Sequence, residues 1–157
     1  PLSSTFDVAM GTFQAIEAGA MIINLSLGSP AESPFLHQII QSGSAQGVIF
    51  MAAAGNEPVS TPSYPAAYPE VIAVTSGDRS GNISPFANYG NFIDVVAPGM
   101  VHVNYGTDSY MVGGTSVSTA FASGFAASMK QDQQLTWQQL ETAIRQSFPV
   151  NPESVAP

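Results

Sequence analysis

Gly113-Gly114-Thr115-Ser116-Val117-Ser118-Thr119-Ala120-Phe121-Ala122-Ser123-Gly124 is the stretch on which the reading of this chain turns. Two glycines interrupt whatever precedes them. A run of mostly small residues then continues without proline, which predicts a helix over about Thr115 to Met129. Ser116 falls in its first turn. A serine hydroxyl is a weak nucleophile until a neighbouring base takes its proton. A helix N-terminus offers such a serine two aids: backbone N–H groups with no intrahelical partner, and the positive end of the helix dipole. The paired glycines let a substrate backbone approach closely. On these residues alone two readings stand. Ser116 is either a nucleophile or an ordinary serine capping a helix after a glycine loop, the commoner use of serine there.

Working outward, Phe6 to Ala18 carries Val8, Met10, Phe13, Ile16 and Ala18 at roughly helical spacing, and Gly19 is a natural C-terminal stop. Met21 to Leu25 and Val48 to Ala54 are short apolar runs, read as buried strands. Between them, Ser33-Pro34 is an N-cap followed by proline at the first helical position, opening a helix with Phe35, Leu36, Ile39 and Ile40 that ends near Gly43 to Gly47. Gly55-Asn56 closes the second strand, and Glu57 to Pro69 is rich in proline and serine and reads as loop. Val71 to Thr75 and Phe92 to Val96 are further strands. Thr136 and Gln139 form a capping box for a last helix to about Ser147. The expected organisation is one domain over 1–148 and a poorly ordered tail over 149–157. Alternating helix and strand is the pattern of α/β architecture with a parallel sheet. In such sheets sites gather at the C-terminal ends of strands and at helix N-termini, and Ser26, Asn56 and Ser116 all fall at such junctions.

Composition narrows the partners. The 157 residues suffice for one compact domain with a single core, and 45 % hydrophobic content argues against disorder. Net charge is −8, from 3 basic and 11 acidic residues, which excludes the Lys/Arg clusters that nucleic acid or an anionic membrane surface would need. Without cysteine there is no disulfide framework and no thiolate metal site. No apolar run reaches the length of a membrane span. The chain opens on Pro1 and carries no leader pattern, so it is expected to be a piece of something longer.

Gly114 to Gly124 resembles the nucleophile motif of the subtilisin-like serine peptidases, which reads Gly-Thr-Ser-x-(Ser/Ala)-x-Pro and continues into a helix of small residues. Four other segments match that family in the right order: Ile23 to Gly28, Ala52 to Asn56, Tyr64 to Val74, and Phe92 to Gly99. The resemblance spans about Phe6 to Ser147. It implies a three-layer subtilisin-like fold with a mostly parallel sheet flanked by helices, and an N-terminal portion missing.

By this resemblance Ser116 attacks the scissile carbonyl, and Asn56 donates its side-chain amide to the oxyanion beside the Ser116 N–H. Ser26, Leu27 and Gly28 form one wall of the cleft and pair with an extended polypeptide substrate, as in strand addition. Ala53, Ala54 and Gly55 form the other wall, where small side chains leave room for a sizeable P1 residue. Glu57 sits at the pocket mouth and is placed to favour a basic one. The resemblance requires no cofactor. Some members hold a weakly bound cation through carbonyls, here those of Ala66, Tyr68 and Val71, near the carboxylate of Asp94. Oxygen ligands of this kind suit Ca²⁺ or Na⁺.

The departures matter as much. The family's catalytic Asp and His motifs lie N-terminal to everything matched, and neither is present. His37 falls inside a predicted helix and His102 in a predicted loop, and neither has the context of a catalytic base. The chain alone is therefore expected to be inactive, pairing with a missing N-terminal half that carries Asp and His, or associating with its own copies through the exposed sheet edge. Ala120 stands where the family has proline, and Phe121 where it usually has histidine. The family implies a secreted protein. The competing reading is a non-catalytic pseudopeptidase or peptide-binding module. Acid-acting sedolisins share the Gly-Thr-Ser context, but they use Asp for the oxyanion where this chain has Asn56.

Overall fold

Four short strands assemble into the centre of the computed structural model, which describes residues 4–133 and 135–154. β1 (Ile22–Leu25), β2 (Ile49–Ala53), β3 (Val71–Ser76) and β4 (Val95–Ala97) pair in parallel, and their order across the sheet is their order in the chain. The register sets Ile22 against Ile49, Met51 against Ile72 and Val74 against Val95. β2, β3 and β4 are buried at every residue, because both faces of the sheet are covered, and this is why they read as continuous apolar runs rather than alternating ones.

Alternate residues feed two cores. Phe50, Ala52, Val71 and Ala73 pack beneath α1 (Thr5–Glu17) and α2 (Pro34–Ala45), with Ile16, Leu36 and Ile40. Met51, Ile72, Val74 and Val95 face α3 (Thr115–Gln133) and α4 (Trp137–Ser147), with Ala122, Ala126, Leu140 and Ile144. The result is a three-layer α/β domain. A Cβ on Gly43 of α2 would lie 2.7 Å from the Phe50 ring and 2.8 Å from Ile16, so that glycine lets helix and strand close together over the ring. The caps expected from sequence are in place. Ser33 Oγ accepts from the Leu36 N–H, and Thr136 and Gln139 exchange both bonds of a capping box.

Several expectations need correcting. The run Phe92 to Val96 pairs only over Val95–Ala97, because Phe92 and Ile93 belong to the turn that delivers Asp94 to the sheet. Residues 98–113 are largely a hairpin, β5 (Met100–Tyr105) with β6 (Asp108–Gly113), antiparallel and exposed along both strands. His102 therefore lies on a strand, not in a loop. The segment after Pro149 is docked rather than frayed as far as Ser154. Asn151 donates its backbone N–H to Gly81 O at 3.0 Å and its side-chain amide to Asn82 Oδ1 at 2.8 Å, and Ser154 Oγ reaches Gly81 O at 3.1 Å. The rest of the expected tail, 155–157, lies outside the described residues. Among the described residues no helix is long and apolar enough to cross a membrane.

α2 is tied to the start of β3 by a hydrogen-bonded cluster. His37 Nε2 lies 2.8 Å from Glu70 Oε2, Gln41 donates to Glu70 Oε1 at 3.1 Å, and the His37 ring stacks on Tyr68 at 4.1 Å. Burial alone would raise the Glu70 pKa. The hydrogen bonds from His37, the Glu70 backbone and Gln41 outweigh it and hold the carboxyl below its ordinary value of 4.5. A depressed carboxylate stabilises the fold above its unfolded pKa and loses that contribution as pH falls through the lower folded value. Glu70→Gln is therefore expected to lower the urea midpoint at pH 6 to 7, and its difference from the unmutated protein should shrink as pH falls below about 4.5. A difference constant down to pH 3 would show that the carboxylate charge is not what matters.

Candidate active site

Three chain segments converge at the C-terminal end of the sheet. The segment after β1 carries Ser26 to Gly28, the turn after β2 carries Gly55 to Glu57, and the N-terminus of α3 carries Thr115 and Ser116. They enclose a cleft of about 550 Å³. Gly28 sits where a Cβ would come within 2.6 Å of Ser63 Oγ, so a side chain there would push that hydroxyl aside. Ser116 is exposed, while Thr115 before it is 1 % exposed.

Thr115 is the pivot. Its backbone N–H donates to Asn56 Oδ1 at 2.9 Å, and its Oγ1 accepts from the Gly55 N–H at 3.2 Å. Gly114 O accepts from the Val117 and Ser118 N–H groups at 3.0 and 3.3 Å, closing the first helical turn. The consequence for Asn56 is specific. With Oδ1 committed to an N–H donor, the amide orientation is set, and Nδ2 is the group left to serve the cleft. The Ser116 N–H stands next to the one already taken, at a helix terminus where amides lack intrahelical partners. Two donors and a serine hydroxyl are thus assembled on one rim, the arrangement that can stabilise charge developing on a carbonyl oxygen under attack.

The β1 side is braced against the same helix. Ser26 Oγ donates to Ser116 O at 3.3 Å and accepts from Asn24 Nδ2 at 2.9 Å. Ser26, Leu27 and Gly28 line one wall as expected, and Ala53 and Gly55 the other. Ala54, expected with them, does not line the cleft. It is fully buried, its N–H is bonded to Val74 O at 2.9 Å, and its carbonyl accepts from Asn88 Nδ2 at 2.8 Å. Among the described residues Glu57 is the one charged group on the cleft lining.

Of the residues considered for a cation, Ala66, Tyr68 and Val71 lie in the segment that leads into β3, and Asp94 reaches the neighbouring Ala73. Ala66, Tyr68 and Val71 belong to the core beneath α1 and α2. The Tyr68 carbonyl accepts from the Val71 N–H at 3.0 Å. Asp94 also meets α4: one carboxylate oxygen is ion-paired with Arg145 and the other accepts from the Ala73 N–H at 2.8 Å. Burial would lower the Arg145 pKa, but the pairs with Asp94 and Glu141 raise it. Among the described residues no group of three His, Cys, Asp or Glu side chains converges.

Neither histidine lines the cleft. His37 is committed to Glu70 across α2, and His102 is exposed on β5. Asn88, a residue the sequence reading passed over, does line it. It sits in Ser84-Pro85-Phe86-Ala87-Asn88-Tyr89-Gly90, where an asparagine among Ser, Pro and Gly looks like any turn residue.

With this geometry in place, comparison with known proteins is direct. The sequence model of the Subtilase family matches residues 1–154, and the chain belongs to that family. It is 40 % identical over 126 residues to subtilisin BL of Lederbergia lenta, covering 79 % of this chain and 47 % of that protein. It is 40 % identical over 121 residues to thermitase of Thermoactinomyces vulgaris, covering 76 % and 43 %. Among solved structures, the prenylagaramide maturation protease PagA superposes with a TM-score of 0.84 at 28 % identity, over 99 % of this chain and 62 % of that one. A cold-adapted subtilisin-like serine proteinase superposes with a TM-score of 0.78 at 30 % identity, over 90 % and 54 %. The chain spans less than half the length of these two curated relatives.

Proposed function

We propose that this chain supplies the nucleophile, oxyanion site and substrate cleft of a serine endopeptidase, whose catalytic His and Asp come from an N-terminal half beyond Pro1. The observation that carries the reading is the lock on Asn56: its Oδ1 is held by the Thr115 N–H, which leaves Nδ2 as a donor beside Ser116. A peptide-binding module needs neither that donor nor the hydroxyl.

The reaction follows from these groups. A polypeptide lies extended along Ser26 to Gly28, with a P1 side chain between that wall and Ala53–Gly55, and Glu57 at the mouth favours a basic residue there. Ser116 Oγ attacks the scissile carbonyl as the histidine of the other half takes its proton. The negative oxygen is met by Asn56 Nδ2 and the Ser116 N–H. Collapse expels the amine, and water then releases the acyl group from Ser116. No metal or cofactor enters any step. The open edge of β1 is where the strands of the N-terminal half would pair, and without them the same edge would drive self-association of the isolated chain. The same reading places the protein outside the cytoplasm, where such an enzyme meets its substrates.

A fluorophosphonate probe tests this. The full-length protein should be labelled at Ser116, and Ser116→Ala should abolish both labelling and peptide hydrolysis. The 157-residue chain alone should not label. Absence of labelling in the full-length protein would favour the pseudopeptidase.

A further inference from the structure

We infer that Asn88 is the positioning residue of the oxyanion turn, holding Asn56 in place for catalysis. The inference rests on the reading of Asn56 as an oxyanion donor. Asn88 is 2 % exposed and is bonded through all four of its polar groups. Its side chain spans the turn: Nδ2 donates to Ala54 O at 2.8 Å, and Oδ1 accepts from the Glu57 N–H at 2.9 Å. Its backbone N–H donates to Gly55 O at 3.0 Å, and its carbonyl accepts from Thr75 Oγ1 at 2.6 Å. Three bonds therefore grip residues 54, 55 and 57, on both sides of Asn56, and the fourth ties the clamp to Thr75 of β3, which is fully buried. The two side-chain bonds also settle the amide orientation, since one end must donate and the other accept.

Gly55 completes the fit. It has φ +114°, and a Cβ on it would lie 2.4 Å from Asn88 Nδ2. The turn is thus shaped to the asparagine, and the asparagine to the turn. Thr115 holds the tip of the Asn56 side chain, whereas Asn88 holds the backbone from which that side chain springs. Asn88 acts on the reacting oxygen only through Asn56, so its removal should cost turnover more than binding.

The test uses full-length protein and a peptide anilide. Asn88→Ala should lower kcat by roughly 10-fold or more, with KM within about twofold, because small misplacements of a catalytic donor are expensive. In an Asn56→Ala background the same substitution should change kcat less than about twofold, since the group it positions is already gone. Hydrogen exchange at the Glu57 amide should quicken in Asn88→Ala while the β3 amides stay protected. Unchanged kcat in a folded variant, or equal kcat losses in both backgrounds, would overturn the proposal. The isosteric Asn88→Asp keeps the bond from Glu57 but opposes its charge to the Ala54 carbonyl, and it should also lose turnover. If neither variant folds, the unmutated protein decides: the Glu57 amide must exchange as slowly as those of β3, and fast exchange overturns the clamp. Failure of the peptidase reading shows separately, as absence of fluorophosphonate labelling at Ser116, and leaves the exchange measurement standing.

Discussion

On the proposed peptidase function, Asn56→Ala is expected to lower kcat of the full-length protein by about 10²–10³, a magnitude taken from loss of such an asparagine in a subtilisin rather than derived from this structure. KM should stay within about twofold. The split follows from when the bond forms. Asn56 Nδ2 meets little charge in the ground state and nearly a full one once the tetrahedral intermediate appears, so its loss falls on the chemical step. The anchoring bond sharpens the expectation. Because Thr115 already holds Oδ1, the unmutated amide needs no reorientation during the reaction. Asn56→Asp should be worse than alanine: it can still accept from the Thr115 N–H, but it offers no donor and sets a negative charge beside the developing one. Steady-state kinetics on a peptide anilide checks both. A loss below about tenfold for alanine would mean that Asn56 does not serve the oxyanion.

Phe50→Ala should destabilise the fold by about 3–5 kcal/mol, the usual range for emptying a buried phenylalanine site. Phe50, the second residue of β2, is fully buried under Gly43 and beside Ile16. Set against a typical total of about 5–15 kcal/mol, the loss is severe. Urea denaturation of the full-length protein should show a lower midpoint with an unchanged slope. Gly43→Ala by itself should also destabilise, since its methyl would sit 2.7 Å from the Phe50 ring. The two changes together should cost less than their sum, because the new methyl enters the space the ring vacated. Strict additivity would show that helix and ring do not compete for that space.

The contrast between what could and could not be foreseen is physical. β2 and β3 were legible because burial on both faces turns a strand into an unbroken apolar run. The caps at Ser33 and Thr136 were legible because capping depends on residues three apart in sequence. The hairpin was not. Val101, Val103 and Tyr105 alternate with His102 and Asn104 at a strand's period of two, but the run is short, Tyr110 to Val112 does not continue it, and with both faces of the ribbon exposed no core reinforces the pattern. Ser116 and Asn56 came forward through motif and junction. Asn88 stayed hidden because its role is made by contacts 31 and 34 residues away, which no local window contains. The Arg145 pair with Asp94 stayed hidden for the same reason, since it spans 51 residues of chain.

Thr115 bonds to the turn at Gly55 and Asn56 across 60 and 59 residues of chain, so everything between is a closed excursion that leaves the site and returns to it. Closure entropy grows only with the logarithm of length, about 0.6 kcal/mol per doubling. The hairpin near the end of that excursion can accordingly be lengthened, shortened or exchanged at little thermodynamic expense, provided the stitches at Thr115 hold. In evolutionary terms it is a port for variation: a place where the protein's outer surface can be rewritten while the cleft keeps its shape.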